Sequence, residues 1–182
     1  MSKPTRTYPL LAACGLNCGL CPRYYTTGQS RCPGCGGENF TQKHPPCGVL
    51  SCSQRREYQY CYQCPDYPCR KFDHCDQFDS FITHQNMLSN FQQIKDCDLS
   101  SYQKELNKKV VILQELLSQY DDGRHKSFYC LAVNLLPLTE LLPIQKQLQH
   151  SKLEPKAKTL LAVELLESAA RTQQISMQLR KK

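Results

Sequence analysis

Eleven cysteines lie between Cys14 and Cys75, in a chain of 182 residues that holds thirteen in all. Three pairs, Cys18/Cys21, Cys32/Cys35 and Cys61/Cys64, are separated by two residues. That gap lets one tight turn aim two sulfurs at a single ion about 2.3 Å away with tetrahedral angles. Cys32-Pro33-Gly34-Cys35-Gly36 and Cys61-Tyr62-Gln63-Cys64-Pro65 carry turn-forming residues where such a turn needs them. One pair would say little. Three pairs with five more cysteines in the same stretch point to bound metal. The competing explanation for paired cysteines, a thioredoxin-like redox pair, wants one pair at a strand-to-helix junction in a βαβ unit, and no such pattern is present.

Clustered cysteines also arise as disulfide frameworks, but those belong to secreted chains. The run Met1 to Pro9 is polar, and the apolar run Leu10 to Ala13 is far too short for a signal segment. Leu11-Ala12-Ala13-Cys14 spells a lipobox, yet lacks the apolar stretch that would engage a membrane. No run approaches the roughly 20 apolar residues of a membrane-crossing helix. The expectation is a cytoplasmic, reducing setting, where thiols hold metal, and no membrane partner.

The formal charge of +7 invites a nucleic-acid reading. It treats thiols as neutral, whereas an ion held by four thiolates carries a charge of about −2. Residues 1–75 hold nine Lys/Arg against four Asp/Glu, so two such sites would nearly cancel the local excess of five. Specific nucleic-acid recognition is therefore not expected, and a protein partner is left open. Arg55, Arg56, Tyr58, Tyr60 and Tyr62 set rings beside cations that could stack a base. They are read instead as rings packed around a metal loop. His44, His74 and His84 are read as solvated or supporting groups rather than ligands. Cys97 and Cys130 are read as small core residues.

The elements that must position the thiols change character along the chain. Residues 1–13 read as an extended lead-in. Residues 14–75 are poor in apolar side chains, so their order is expected to depend on metal. From Phe72 the texture turns apolar, with Phe78, Phe81, Ile82, Met87, Leu88 and Phe91 as candidate core. Tyr102, Leu106, Val110, Leu113, Leu117 and Tyr120 recur at helical spacing, with Ser100 or Ser101 as cap and Gly123 suited to the left-handed position after the end. A second helix is expected from Ser127 to Leu136, stopped by Pro137, and a shorter one after Thr139 with Pro143 near its first turn. The last runs from Pro155 to about Gln173, with a stripe of Ala157, Leu161, Leu165 and Ala169 widened by Leu160 and Leu166. Ile175, Met177 and Leu179 alternate with polar residues, the period of a half-buried strand. Arg180-Lys181-Lys182 reads as a solvated tail. The fold class expected is α+β, mostly α. A zinc-stabilised cysteine-rich module over 1–75 would pack on a helical body over 76–182, possible as one compact domain, with a short C-terminal strand.

The run Ala13-Cys14-Gly15-Leu16-Asn17-Cys18-Gly19-Leu20-Cys21-Pro22, with Cys32-Pro33-Gly34-Cys35, Cys47-x4-Cys52 and Cys61-Tyr62-Gln63-Cys64-Pro65-Asp66-Tyr67-Pro68-Cys69, resembles a family of small cysteine-rich bacterial and archaeal proteins catalogued as domain of unknown function 3795. The resemblance covers residues 10–75 well and 120–180 loosely, where Asp122 through Leu138 is similar to the helical continuation of some members. It implies a metal-binding protein with no assigned reaction. Its cysteine positions fall on Cys14, Cys18, Cys21, Cys32, Cys35, Cys47, Cys52, Cys61, Cys64 and Cys69, and not on Cys75, Cys97 or Cys130.

Ten candidate ligands exceed the eight that two four-thiolate sites need. One partition joins Cys18, Cys21, Cys32 and Cys35, and a second joins Cys47, Cys52, Cys61 and Cys64. Cys14 and Cys69 are then able to replace a member of either or to form part of a third site. The expected cofactor is two zinc ions, and the alternative is an iron–sulfur cluster, because the ligand sets overlap. Cys14-x3-Cys18-x2-Cys21 also has the spacing of radical S-adenosylmethionine enzymes, and Gly36-Gly37-Glu38 mimics their glycine-rich follow-on. Those enzymes need alternating strands and helices, which this chain lacks. No Ser-His-Asp set, phosphate loop or paired-carboxylate motif is visible. The sequence therefore reads as a binding or adaptor module rather than an enzyme, with an iron–sulfur or exchangeable-metal redox or metal-transfer protein as the alternative.

Overall fold

The computed structural model describes residues 5–181. Its helices are α1 (Phe40–Lys43), α2 (Gly48–Arg55), α3 (Met87–Cys97), α4 (Leu99–Gln119), α5 (Lys126–Leu135), α6 (Leu138–Gln149) and α7 (Pro155–Thr172), preceded and interleaved in the cysteine-rich stretch by short 3-10 turns. No helix among the described residues is long and apolar enough to cross a membrane.

α4 is the axis of the fold. Its start is capped by the carboxylate of Asp98, which accepts from the Ser101 N–H at 2.9 Å and the Ser101 hydroxyl at 2.8 Å. Asp98, not Ser100 or Ser101, is thus the cap, because only the residue outside the first turn can turn its side chain back onto the free N–H groups. Tyr102, Leu106, Val110, Leu113 and Leu116 form its buried face, and α3, α5 and α6 pack around it while α7 covers α5 and α6. Gly123 lies beyond the cap Tyr120, in a turn whose N–H groups at Gly123 and His125 bond the Asp121 carboxylate. Pro143 falls within α6, past its first turn.

The expected C-terminal strand is absent: the described residues contain no strand, and the fold is helical rather than α+β. Residues 175–179 are extended but have no sheet partner. Ile175 and Met177 rest on the helical core, so the alternation reflects one-sided burial of a lone segment. The segment is fastened at Arg180, which is not a free tail. Its side chain and N–H bond the fully buried carboxylate of Asp79. Lys181 is exposed, and Lys182 lies outside the described residues.

Other expectations shift by a residue or a face. Ile82, Met87 and Phe91 join the core, but Phe78, Phe81 and Leu88 are exposed. The buried line of α7 runs through Thr159, Ala162, Leu166, Ala169 and Ala170, leaving Leu160 63% exposed. A stripe chosen by apolar character alone misplaces the centre, because small residues sit where helices approach closely.

The cysteine-rich stretch enters the same core. Leu11, Leu20, Tyr60 and Phe72 are 0%, 0%, 3% and 7% exposed within the cluster that contains α3 to α7. At roughly 2 kcal/mol for each side chain, their burial is of the order of a whole domain's stability. Two glycines permit this contact. A Cβ on Gly15, whose φ is +95°, would meet the Met87 carbonyl oxygen at 2.4 Å, and one on Gly19 would meet Val110 at 3.0 Å. Nor is the segment before Cys14 a mere lead-in: Arg6, Leu11, Ala12 and Ala13 are buried, while residues 1–4 lie outside the described set.

Candidate metal centre

Four cysteines line one cavity of about 30 Å³: Cys52, Cys61, Cys64 and Cys69, with Arg56, Tyr67 and Lys71 beside them. Cys52 comes from α2. Cys61 and Cys64 flank a 3-10 turn whose entry is fixed by the Tyr60 N–H bonding Gln63 Oε1 at 2.9 Å and whose exit is fixed by the Cys64 N–H bonding the Cys61 carbonyl. Burial pushes the Cys61 thiol up to about 12, and the neighbouring sulfurs of Cys69, Cys52 and Cys64 add to the rise. Arg56 donates to Cys64 Sγ at 2.8 Å and pairs with Asp66 at 2.6 Å.

A second group gathers Cys14, Cys18, Cys35 and Cys47 around the small apolar cluster of Ala12, Ala13, Phe40 and Leu50. Cys47 caps α2, and its sulfur accepts from the Leu50 N–H at 3.5 Å. Cys35 Sγ accepts from the Ala13 N–H at 3.5 Å and from Arg6 Nη1 at 3.4 Å. Burial pushes the Cys14 thiol up to about 12, with Cys35, Cys47 and Cys61 repelling its charge. Cys18 is also raised well above its ordinary value by burial, with Cys35, Cys14, Cys21 and Cys32 adding to it. At Cys35 burial again raises the thiol, and Arg6 partly offsets it. Buried thiols crowded in this way stay protonated until a cation replaces their protons.

Cys18 neighbours Cys14 and Cys35 and also Cys21 and Cys32, and Cys69 lines the same cavity as Cys52, Cys61 and Cys64. Cys21 and Cys32 lie beside each other, both buried, next to Cys18; burial pushes Cys21 up to about 11, with Cys32 adding to it. Cys75 is half-buried against the core, Cys130 is buried in α5, and Cys97 is exposed rather than a core residue. The two groups adjoin, for the Cys61 N–H donates to the Ala13 carbonyl at 2.8 Å.

Arg6 tests whether an anionic metal group fits. It is 9% exposed, its guanidinium lies 4.7 Å over the Tyr60 ring, and its Nε and Nη2 have no acceptor. Buried donors left bare cost roughly 1–3 kcal/mol each. A metal ion carrying four thiolates, with a net charge of about −2, supplies the missing counter-charge beside Cys35. The donor set fits a thiophilic metal or cluster. Sequence reasoning missed Arg6, because nothing in a lone arginine near the N-terminus signals burial.

Spacing bears on what is held. Among the described residues no three cysteine sulfurs lie within 4.8 Å of one another. The trio that does meet that spacing is Asp121, Asp122 and His125. Its oxygens are engaged by the N–H groups of Gly123, Arg124 and His125 and by the His125 ring, so it serves to fix the turn before α5. His44 stacks on Phe40, His74 bonds Gln77, and His84 bonds Ser80 and the Cys75 carbonyl. Tyr60 and Tyr62 stack on each other and Tyr62 packs on Phe91.

These features define a helical protein with a cysteine-rich segment whose thiols are compatible with metal binding. Residues 10–74 match the family model described as "Protein of unknown function (DUF3795)", and the match does not extend into residues 120–180. No curated protein and no solved structure matches the chain.

Proposed function

We propose that this protein carries two metal–thiolate centres, one on Cys14, Cys18, Cys35 and Cys47 and one on Cys52, Cys61, Cys64 and Cys69, and that each holds an iron–sulfur cluster used in electron transfer. The observation that carries the choice of occupant is the sulfur spacing. Four sulfurs around one zinc ion sit about 3.8 Å apart, given a Zn–S distance of about 2.3 Å. Among the described residues no three sulfurs lie that close, and a multi-atom cluster, whose thiolates bind separate irons, does not require them to. N–H groups aimed at sulfur from Ala13, Leu50, Arg6 and Arg56 are the bonds by which a protein tunes such a cluster's potential. Contact between the two groups suits electrons passing between them. The cluster would supply the redox chemistry; the chain supplies thiolates, N–H donors and burial.

The two-zinc reading, in which the centres are structural and the protein is a binding or adaptor module, is favoured by the Cys61-x2-Cys64 turn, and it requires both groups to contract on the ion. Purification without oxygen decides the metal. A brown protein containing iron and matching acid-labile sulfide supports the cluster reading; a colourless protein with two zinc ions and no sulfide sinks it in favour of the structural one.

A further inference from the structure

Beside the Cys14–Cys18 loop, and outside both thiol groups, a cavity of about 420 Å³ opens between α3 and α4. Its floor includes Asn17, Asn90 and Tyr102, all buried. Tyr102 donates to Asn17 Oδ1 at 2.9 Å, and Asn17 Nδ2 donates to Asn134 Oδ1 at 3.2 Å, so the floor is rigid.

The amides around this cavity are oriented by what their nitrogens bond. Asn86 Nδ2 donates to the Asn134 carbonyl at 2.9 Å, and Asn90 Nδ2 to the Gly15 carbonyl at 2.8 Å. Gln92 Nε2 donates to Asp96 at 2.7 Å, and Gln93 Nε2 to Glu105 at 2.9 Å. Each partner is an oxygen that can only accept, so each NH₂ must face it. The four amide oxygens are left without a protein donor among the described residues, and one oxygen each of Asp96 and Glu105 is also free. The cavity thus offers acceptors and two carboxylates. Against them stands one cation, Lys109, which makes no ion pair among the described residues. Burial lowers its ammonium from the usual range, with Glu105 working against the fall.

We propose that this cavity binds a small organic cation rich in N–H donors that also bears a carboxylate, a basic amino acid of the arginine type. The guanidinium or ammonium groups meet the amide oxygens and the Glu105 and Asp96 carboxylates. The ligand carboxylate meets Lys109. Charge-assisted bonds of this kind are the strong ones, and planar N–H forks suit paired oxygens. The site does not depend on which metal the thiols hold.

Isothermal titration of the full-length, metal-loaded protein with L-arginine, agmatine and L-glutamate tests the assignment. L-arginine should bind. Agmatine, which lacks the carboxylate, should bind about tenfold more weakly, and L-glutamate should give no heat. Glu105→Gln should weaken L-arginine about tenfold with unchanged helix content, and Asp96→Asn at the exposed rim should weaken it in the same direction. Absence of L-arginine binding, L-glutamate binding as tightly, agmatine binding as tightly as L-arginine, or indifference to both substitutions would overturn the proposal.

Discussion

The bond between Asp79 and Arg180 makes a quantitative claim about the C-terminal segment. The Asp79 carboxylate is fully buried and accepts from the His84 N–H at 2.7 Å and from Arg180 through Nη2 at 2.8 Å, Nε at 3.2 Å and the backbone N–H at 2.8 Å. Burial by itself would raise this carboxyl; the donors more than reverse that and hold it from the ordinary 3.8 down to about 2. A fall of that size corresponds to about 2.5 kcal/mol of stability. Because the folded value lies below the unfolded one, the contribution is complete above about pH 4 and is lost as pH falls toward 2. Asp79→Asn keeps the shape and removes the charge. Urea unfolding read by helical circular dichroism, from pH 7 down to pH 2, should show the variant at least about 2 kcal/mol less stable at neutral pH, with the gap narrowing by a similar amount in acid. Acid strips thiolate-bound metal from both proteins alike, so the difference between them is the quantity to read. A gap that stays constant with pH, or that is under about 0.5 kcal/mol at pH 7, would show that the ion pair does not fasten the segment.

Cys61→Ser should halve the bound metal, since it empties one centre and leaves the other, as elemental analysis would show; loss of all metal would mean a single shared centre. Arg6→Met should shift the midpoint potential of the first centre negative while leaving metal content intact, measured by redox titration; an unchanged potential would remove Arg6 from that centre. Gly15→Ala should destabilise by roughly 2–4 kcal/mol, from its positive φ and the overlap with the Met87 carbonyl, as thermal unfolding would register. Binding to single-stranded DNA or RNA at 150 mM salt should be no tighter than roughly 10⁻⁶ M and should fall steeply with added salt; sub-micromolar binding in fluorescence anisotropy, lost on Arg55→Ala with Tyr58→Ala, would contradict the charge argument.

The helices α4 to α7 were legible because their signals are local, whereas α1 to α3 were not read as helices. Pro155 at a first turn, Pro137 as a stop and the spacing of Tyr102, Leu106, Val110 and Leu113 all found their elements to within a residue or two. The supposed strand failed because alternation reports burial on one side and not a partner to pair with. The clustering of the cysteines was legible from their spacing, while which of them lie near one another was not. Cys52 from α2 and Cys69 line one cavity with Cys61 and Cys64, because folding of the loops, and not distance along the chain alone, decides which sulfurs meet. Arg6 and the amides around Asn17 left no local signal, since their roles rest on contacts across as many as 117 residues.

The shared core changes what metal loss should do to the fold. Composition alone suggests a module that melts without metal and leaves the helical body standing. Leu11, Leu20, Tyr60 and Phe72 nevertheless lie in the same cluster as Phe91, Leu106 and Tyr129, and Gly15 and Gly19 bring the thiol loop against α3 and α4. Burial of these side chains would persist if the thiols were simply protonated, and the raised thiol values mean that protonated thiols are the favoured metal-free state at neutral pH. Metal removal should therefore loosen residues 28–47, whose apolar contribution is confined to the small cluster of Phe40 with Cys32 and Cys35, before it releases residues 10–22. Hydrogen exchange on chelated protein should show that order. Equal loss of protection across residues 10–75 would show instead that metal, and not the shared core, holds the entire cysteine-rich stretch in place.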